Sequence, residues 1–165
     1  MKLKKHSKIL IGIVVAVLLL TGITAGYLQS YYHTDTQAVS AYQYKQNSDT
    51  KIQTKMLSDG SIVCEPENPA AGFIFYPGGK VETSAYEPLM QACAAQDILC
   101  VLVSMPFHLA VFDKNAADGI QEQYPQIDSW YIGGHSLGGA MAASYVSKHA
   151  DSFDGLILLG AVSYT

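Results

Sequence analysis

Four short runs in this chain are apolar at nearly every position rather than at every second one: GFIFY (72–76), ILCVLVSMP (98–106), WYIGG (130–134) and DGLILLGAVS (154–163). A strand with one wet face alternates apolar and polar residues. A strand buried on both faces does not, and such strands belong to parallel sheets covered by helices. Helical stretches separate the runs. SAYEPLMQACAAQD is expected to start its helix near Tyr86 or Glu87, because Pro88 is tolerated only in a first turn. NAADGIQEQYP is expected to form a short helix capped by Asn115. LGGAMAASYVSKHA is expected to form another, with Lys148 and His149 near its negative end. Ahead of these, two short alternating runs flank Asp59-Gly60, a hairpin signal. The expected fold class is α/β: a mostly parallel sheet with helices on both faces, and no internal repeat.

The N-terminus obeys a different rule. Residues Ile9 to Leu28 are uncharged and mostly apolar. As a helix rising about 1.5 Å per residue, such a run spans the ~30 Å hydrocarbon core of a bilayer. Lys2, Lys4, Lys5 and Lys8 precede it and the next lysine is Lys45. That asymmetry predicts a cytoplasmic N-terminus, a single-pass anchor in the cell membrane and an extracytoplasmic remainder. Tyr27, Tyr31 and Tyr32 stand where an interfacial aromatic belt is expected. The alternative is a cleaved signal peptide and secretion. The apolar core of such a peptide is normally only about 7–15 residues long. The expected organisation is residues 1–28 as lysines and anchor, 29–50 as a polar tether and 51–165 as the folded domain.

Charge narrows the partners. The net charge is −4, with 10 Lys+Arg, none of them arginine, against 14 Asp+Glu. Setting aside the four N-terminal lysines leaves 6 against 14, so the remainder carries −8. A phosphate-backbone binder needs a basic face, so nucleic acid is not an expected partner. Cys64, Cys93 and Cys100 have no metal-site spacing, and no cofactor is expected. An odd count leaves at least one thiol free, and buried free thiols are the reading preferred to a Cys93–Cys100 bridge.

The stretch Trp130 to Tyr145, WYIGGHSLGGAMAASY, carries the chemistry. GHSLG places Ser136 between an apolar strand and a helix in the pattern G-x-S-x-G. A turn this sharp brings residues 134 and 138 almost into contact, and only glycine fits both places. It lifts the Ser136 hydroxyl to the positive end of the following helix. YPGGK (76–80) also follows an apolar strand and opens onto a helix. Attack on an ester carbonyl creates an oxyanion that requires about two N–H donors. The expected donors are the N–H of Leu137 and an N–H of the glycine loop, with Gly79 first and Gly78 or Lys80 behind it.

Other residues are given quieter roles. His135 is read as filling space under the turn, His108 as packing a loop in preference to touching substrate, and Lys80 as solvated. Phe107, Leu109, Val111 and Phe112 are left open between lining a pocket and packing their loop.

The strand–YPGG–helix unit, the MPFHLAVF segment and GGHSLGGAMA together resemble the alpha/beta-hydrolase superfamily, most nearly its bacterial membrane-anchored, dienelactone-hydrolase-like or esterase-like branch. The resemblance spans about Lys51 to Thr165. It implies a Ser–Asp/Glu–His triad with Ser136 as nucleophile, an oxyanion loop on Tyr76–Lys80 and a small-molecule ester or acyl substrate. It also implies that the acid and the histidine follow Ser136. Of the residues available, His149 lies near the far end of the helix that Ser136 opens, ~20 Å from its hydroxyl at 1.5 Å per residue. Asp151 and Asp154 share that end. The triad acid and histidine are therefore expected outside this chain, which reads as a fragment inactive by itself. The alternative is a non-catalytic, surface-anchored binding module or a truncated product.

Overall fold

The computed structural model describes residues 5–41 and 51–161, in two units divided after Tyr31. Lys2 and Lys4, residues 42–50 of the expected tether, and residues 162–165, which include the end of the expected last strand, lie outside the described residues.

The first unit holds α1 (Lys5–Gln29). Residues His6–Gln29 are long and apolar enough to cross a membrane, with a mean hydropathy of 2.6. A signal sequence satisfies the same criterion. The two threonine hydroxyls of the helix turn inward. Thr21 Oγ1 donates to Val17 O at 2.8 Å and Thr24 Oγ1 to Leu20 O at 2.9 Å, so neither needs water.

The second unit starts at Tyr32. Tyr32, grouped by sequence with the interfacial tyrosines, forms an isolated parallel bridge to Val81. Its N–H donates to Lys80 O, and the Glu82 N–H donates to Tyr32 O. A short helix, α2 (Thr36–Ala41), follows where the sequence shows no period. Asp35 Oδ1 accepts from the N–H groups of Gln37 and Ala38 at 3.0 Å, a cap that explains its start.

Six strands form one sheet in the order β1-β2-β4-β3-β5-β6. They are β1 (Ile52–Met56), β2 (Ile62–Pro66), β3 (Ala71–Tyr76), β4 (Ile98–Leu102), β5 (Trp130–His135) and β6 (Gly155–Leu159). β1 and β2 form the expected hairpin with Met56 opposite Ile62, and β2 runs antiparallel to β4. β3 pairs in parallel with β4 and β5, and β5 with β6. Successive residues of a strand point to opposite faces, and here both faces are dry. Ile74, Tyr76, Leu99, Val101 and Ile132 pack with Ala142 and Tyr145 of α4 (Leu137–Val146). Phe73, Phe75, Cys100 and Leu102 pack with Met90 and Ala94 of α3 (Glu87–Ala94). This two-sided burial is the cause of the unbroken apolar runs. The fourth run departs from this: β6 stands last in the strand order, and Leu156, Ile157 and Leu159 are exposed, so the burial on both faces expected of it is not found among the described residues.

Two further local expectations fail. The segment after Asn115 forms no α-helix. Residues 114–120 are turns, followed by a 3₁₀ turn at Gln121–Gln123. The buried Tyr76 competes for this backbone: its hydroxyl donates to Lys114 O at 2.9 Å and accepts from the Ala117 N–H at 3.0 Å. Gly119 then turns out of helical space at φ 73°. The second failure is at the end of α4, which stops at Val146, ahead of Lys148 and His149. His149 still serves that end, with Nδ1 2.9 Å from Tyr145 O and its ring stacked on Tyr145 at 4.1 Å.

Candidate active site

Everything that converges on Ser136 does so at the C-terminal edge of β3 and β5. Ser136 has φ 50° and ψ −120°, a conformation that costs a non-glycine residue of order 1–3 kcal/mol. The surroundings hold it there. The Ser136 N–H donates to Leu159 O at 2.9 Å, and Ser136 O accepts from the Ala140 N–H at 3.1 Å. Ser136 is exposed, and among the described residues its hydroxyl has no hydrogen-bond partner.

The flanking glycines are required by contact. A Cβ on Gly134 would stand 2.6 Å from Tyr76 O and 2.7 Å from the Gly138 carbonyl carbon. One on Gly138 would overlap Tyr76 O and Pro77 O, and one on Gly139 would stand 2.5 Å from Ala161 Cβ. The obstacles at 134 and 138 are backbone atoms, so neighbouring rotamers cannot relieve them.

The glycine loop lies against this turn. A Cβ on Gly79 would come within 2.9 Å of Leu137 Cδ2 and 3.5 Å of Leu109 Cδ2. Of the three loop amides considered from sequence, two are already engaged. The Gly78 N–H donates to Tyr86 Oη at 3.0 Å and the Lys80 N–H to His108 O at 2.6 Å. Among the described residues, the N–H groups of Gly79 and Leu137 have no acceptor. Lys80 is half-buried, with φ 62°.

Tyr86 is the residue that sequence reasoning missed. Its phenol accepts from the Gly78 N–H and lies 2.8 Å from His135 Nδ1. Burial pushes the Tyr86 hydroxyl above its ordinary pKa, partly offset by the Gly78 N–H. His135, read from sequence as space-filling, therefore makes a polar contact as well. Pairs 49 residues apart leave no local signal.

The loop after β4 forms the far wall. Phe107 and His108 both have positive φ, 54° and 56°. Leu109 reaches Gly79, whereas Phe107, Val111 and Phe112 are exposed, with the two phenyl rings edge to face at 5.6 Å. Burial holds His108 below the usual imidazole range. Glu82 opposes that shift and Lys80 adds to it.

The acidic residues that follow Ser136 lie elsewhere. Asp154 Oδ2 accepts from the Trp130 N–H at 3.0 Å, at the opposite end of β5. Asp151 lies in the 3₁₀ turn Ala150–Ser152, beyond α4. Among the described residues, no group of three or more His, Cys, Asp or Glu is placed to hold a metal ion.

The family and the fold are shared with known proteins. Residues 72–164 match the Alpha/beta hydrolase family, and the chain belongs to it. Solved structures share the fold at low identity. TT1662 from Thermus thermophilus is 15% identical with a TM-score of 0.54, over 67% of this chain and 57% of its own. A bacterial heroin esterase is 17% identical with a TM-score of 0.53, over 75% and 48%. FphF, a fluorophosphonate-binding serine hydrolase of Staphylococcus aureus, is 14% identical with a TM-score of 0.50, over 68% and 57%. This chain thus spans about half the length of the structures it matches. No curated protein matches it.

Proposed function

We propose that this chain carries the nucleophile half of a membrane-anchored, extracytoplasmic serine hydrolase that cleaves carboxylic esters. It would belong to the dienelactone-hydrolase-like or esterase-like branch of its family. The observation that carries the reading is the backbone of Ser136: an exposed serine at φ 50°, ψ −120°, between glycines that backbone atoms forbid to be anything else.

In this reading Ser136 Oγ attacks the ester carbonyl carbon while its proton passes to a general base. The Leu137 and Gly79 N–H groups receive the oxyanion. The alcohol departs, leaving an acyl group on Ser136, and water then releases the acid. A single lost oxyanion donor typically costs ~10²–10³ in rate. The described residues that follow Ser136 supply no base or acid at its hydroxyl. His149 is stacked on Tyr145 and Asp154 is bonded at the other end of β5, so neither is a candidate. A small-molecule ester or acyl compound is the substrate, α1 makes the lipid contact, and neither a cofactor nor nucleic acid is required. The heroin esterase and the fluorophosphonate-binding hydrolase among the structural neighbours support this class.

The experiment is to treat membranes carrying the full-length gene product with a fluorophosphonate probe. Labelling is expected in the wild type and absent in Ser136→Ala. Labelling that persists in the variant overturns the proposal. A second reading, a surface-anchored module without catalysis, is favoured by the lack of a hydrogen bond between Ser136 Oγ and any described histidine. Absence of labelling in the wild type selects it.

A further inference from the structure

Three thiols meet on the sheet face that α3 covers. Cys64 of β2 and Cys100 of β4 are directly opposed across an antiparallel pair, and both are buried. Cys93, one residue before the end of α3, packs against the same cluster and is half-buried. Its side chain neighbours that of Cys100, whose S–H donates to Ile98 O at 3.4 Å. Cys100 therefore stands between two sulfurs, and their surroundings differ. Cys64 is fully enclosed, accepts a hydrogen bond from Thr54 Oγ1 at 3.8 Å, and burial pushes its thiol up to about 11. Cys93 reaches the surface. The neighbouring Cys100 side chain lowers the Cys93 thiol below its ordinary pKa, while Cys100 itself is raised. The thiolate is the species that attacks a disulfide, and an accessible one attacks first.

We propose that Cys93 and Cys100 form a dithiol–disulfide couple that pins the end of α3 to β4, with Cys64 remaining a thiol. The oxidant is a small-molecule disulfide such as glutathione disulfide. The Cys93 thiolate attacks one of its sulfurs, forming a mixed disulfide and releasing one thiolate. Cys100 then gives up its proton and attacks Cys93 Sγ, releasing the second. One disulfide and two protein thiols become one protein disulfide and two small thiols, and a dithiol reductant reverses the reaction. The couple is independent of the chemistry proposed at Ser136, because Cys93 lies in the last turn of α3 and Cys100 in the middle of β4, whereas Ser136 follows β5.

The test uses the full chain in detergent micelles, equilibrated with a glutathione redox buffer and then alkylated. Proteolytic cleavage before Asp97 separates the two cysteines. Oxidation is expected to reduce the alkylatable thiols from three to one, lower the mass by about 2 Da and yield a Cys93–Cys100-linked peptide pair. The same pair is expected in Cys64→Ala and no linked pair in Cys93→Ala. Three thiols that stay alkylatable in excess disulfide overturn the proposal, and so does a linked peptide containing Cys64.

Discussion

Tyr86 Oη and His135 Nδ1 lie 2.8 Å apart, and the same phenol oxygen accepts the Gly78 N–H at 3.0 Å. One side chain at the start of α3 thus ties the loop after β3 to the end of β5, on the two strands whose ends frame Ser136. Tyr86→Phe removes that tie and leaves a buried amide without an acceptor. The expected cost is about 1–3 kcal/mol in urea unfolding. Loosening of the Gly79 loop is expected to slow fluorophosphonate labelling of the full-length protein about tenfold or more. Unchanged unfolding and labelling would show that the phenol holds nothing.

The turn glycines are expected to rank by what a methyl group would meet. At Gly138 and Gly134 it meets carbonyl groups of the backbone, so Gly138→Ala and Gly134→Ala should cost about 3 kcal/mol or more and abolish labelling. At Gly79 the nearest atom is the tip of Leu137, 2.9 Å away, which can move. Gly79→Ala should therefore fold, with a loss nearer 1 kcal/mol. Chemical unfolding of the three variants reads the order directly.

Ser136 sets stability against activity. Glycine tolerates its backbone angles and serine does not. Ser136→Gly is therefore expected to raise stability by about 1 kcal/mol while abolishing labelling. Ser136→Ala, which keeps the strain, should abolish labelling without that gain. Thermal unfolding of both variants beside the wild type separates strain from chemistry.

Glu82 supplies a pH dependence. Its carboxylate accepts the Thr34 N–H at 2.7 Å, and this bond holds it below its ordinary pKa, with His33 as a minor contributor. A depressed carboxylate stabilises the fold fully above its unfolded value, ~4.3, and the stabilisation is lost as pH falls through the lower folded value. The group is largely exposed, so the effect should stay below about 1 kcal/mol. The wild type should exceed Glu82→Gln in unfolding temperature at pH 7, and the gap should close on acidification below about pH 4. A gap independent of pH would assign the contact to shape alone.

The sequence by itself determined the strands and the elbow, since both follow from demands that each residue meets locally. Phe73, Ile74, Phe75 and Tyr76 read as a doubly buried strand because alternate side chains enter two separate apolar clusters. Gly134 and Gly138 read as a tight turn because backbone atoms leave no room for a methyl group. The helix expected after Asn115 was misread because its backbone is bonded by Tyr76, 38 to 41 residues earlier in the chain. The tie between Tyr86 and His135, the commitment of the Gly78 and Lys80 amides, and the meeting of Cys93 with Cys100 were decided only by tertiary structure. Each depends on which strands become neighbours, and the order β4-β3-β5 places side by side segments that the chain keeps far apart.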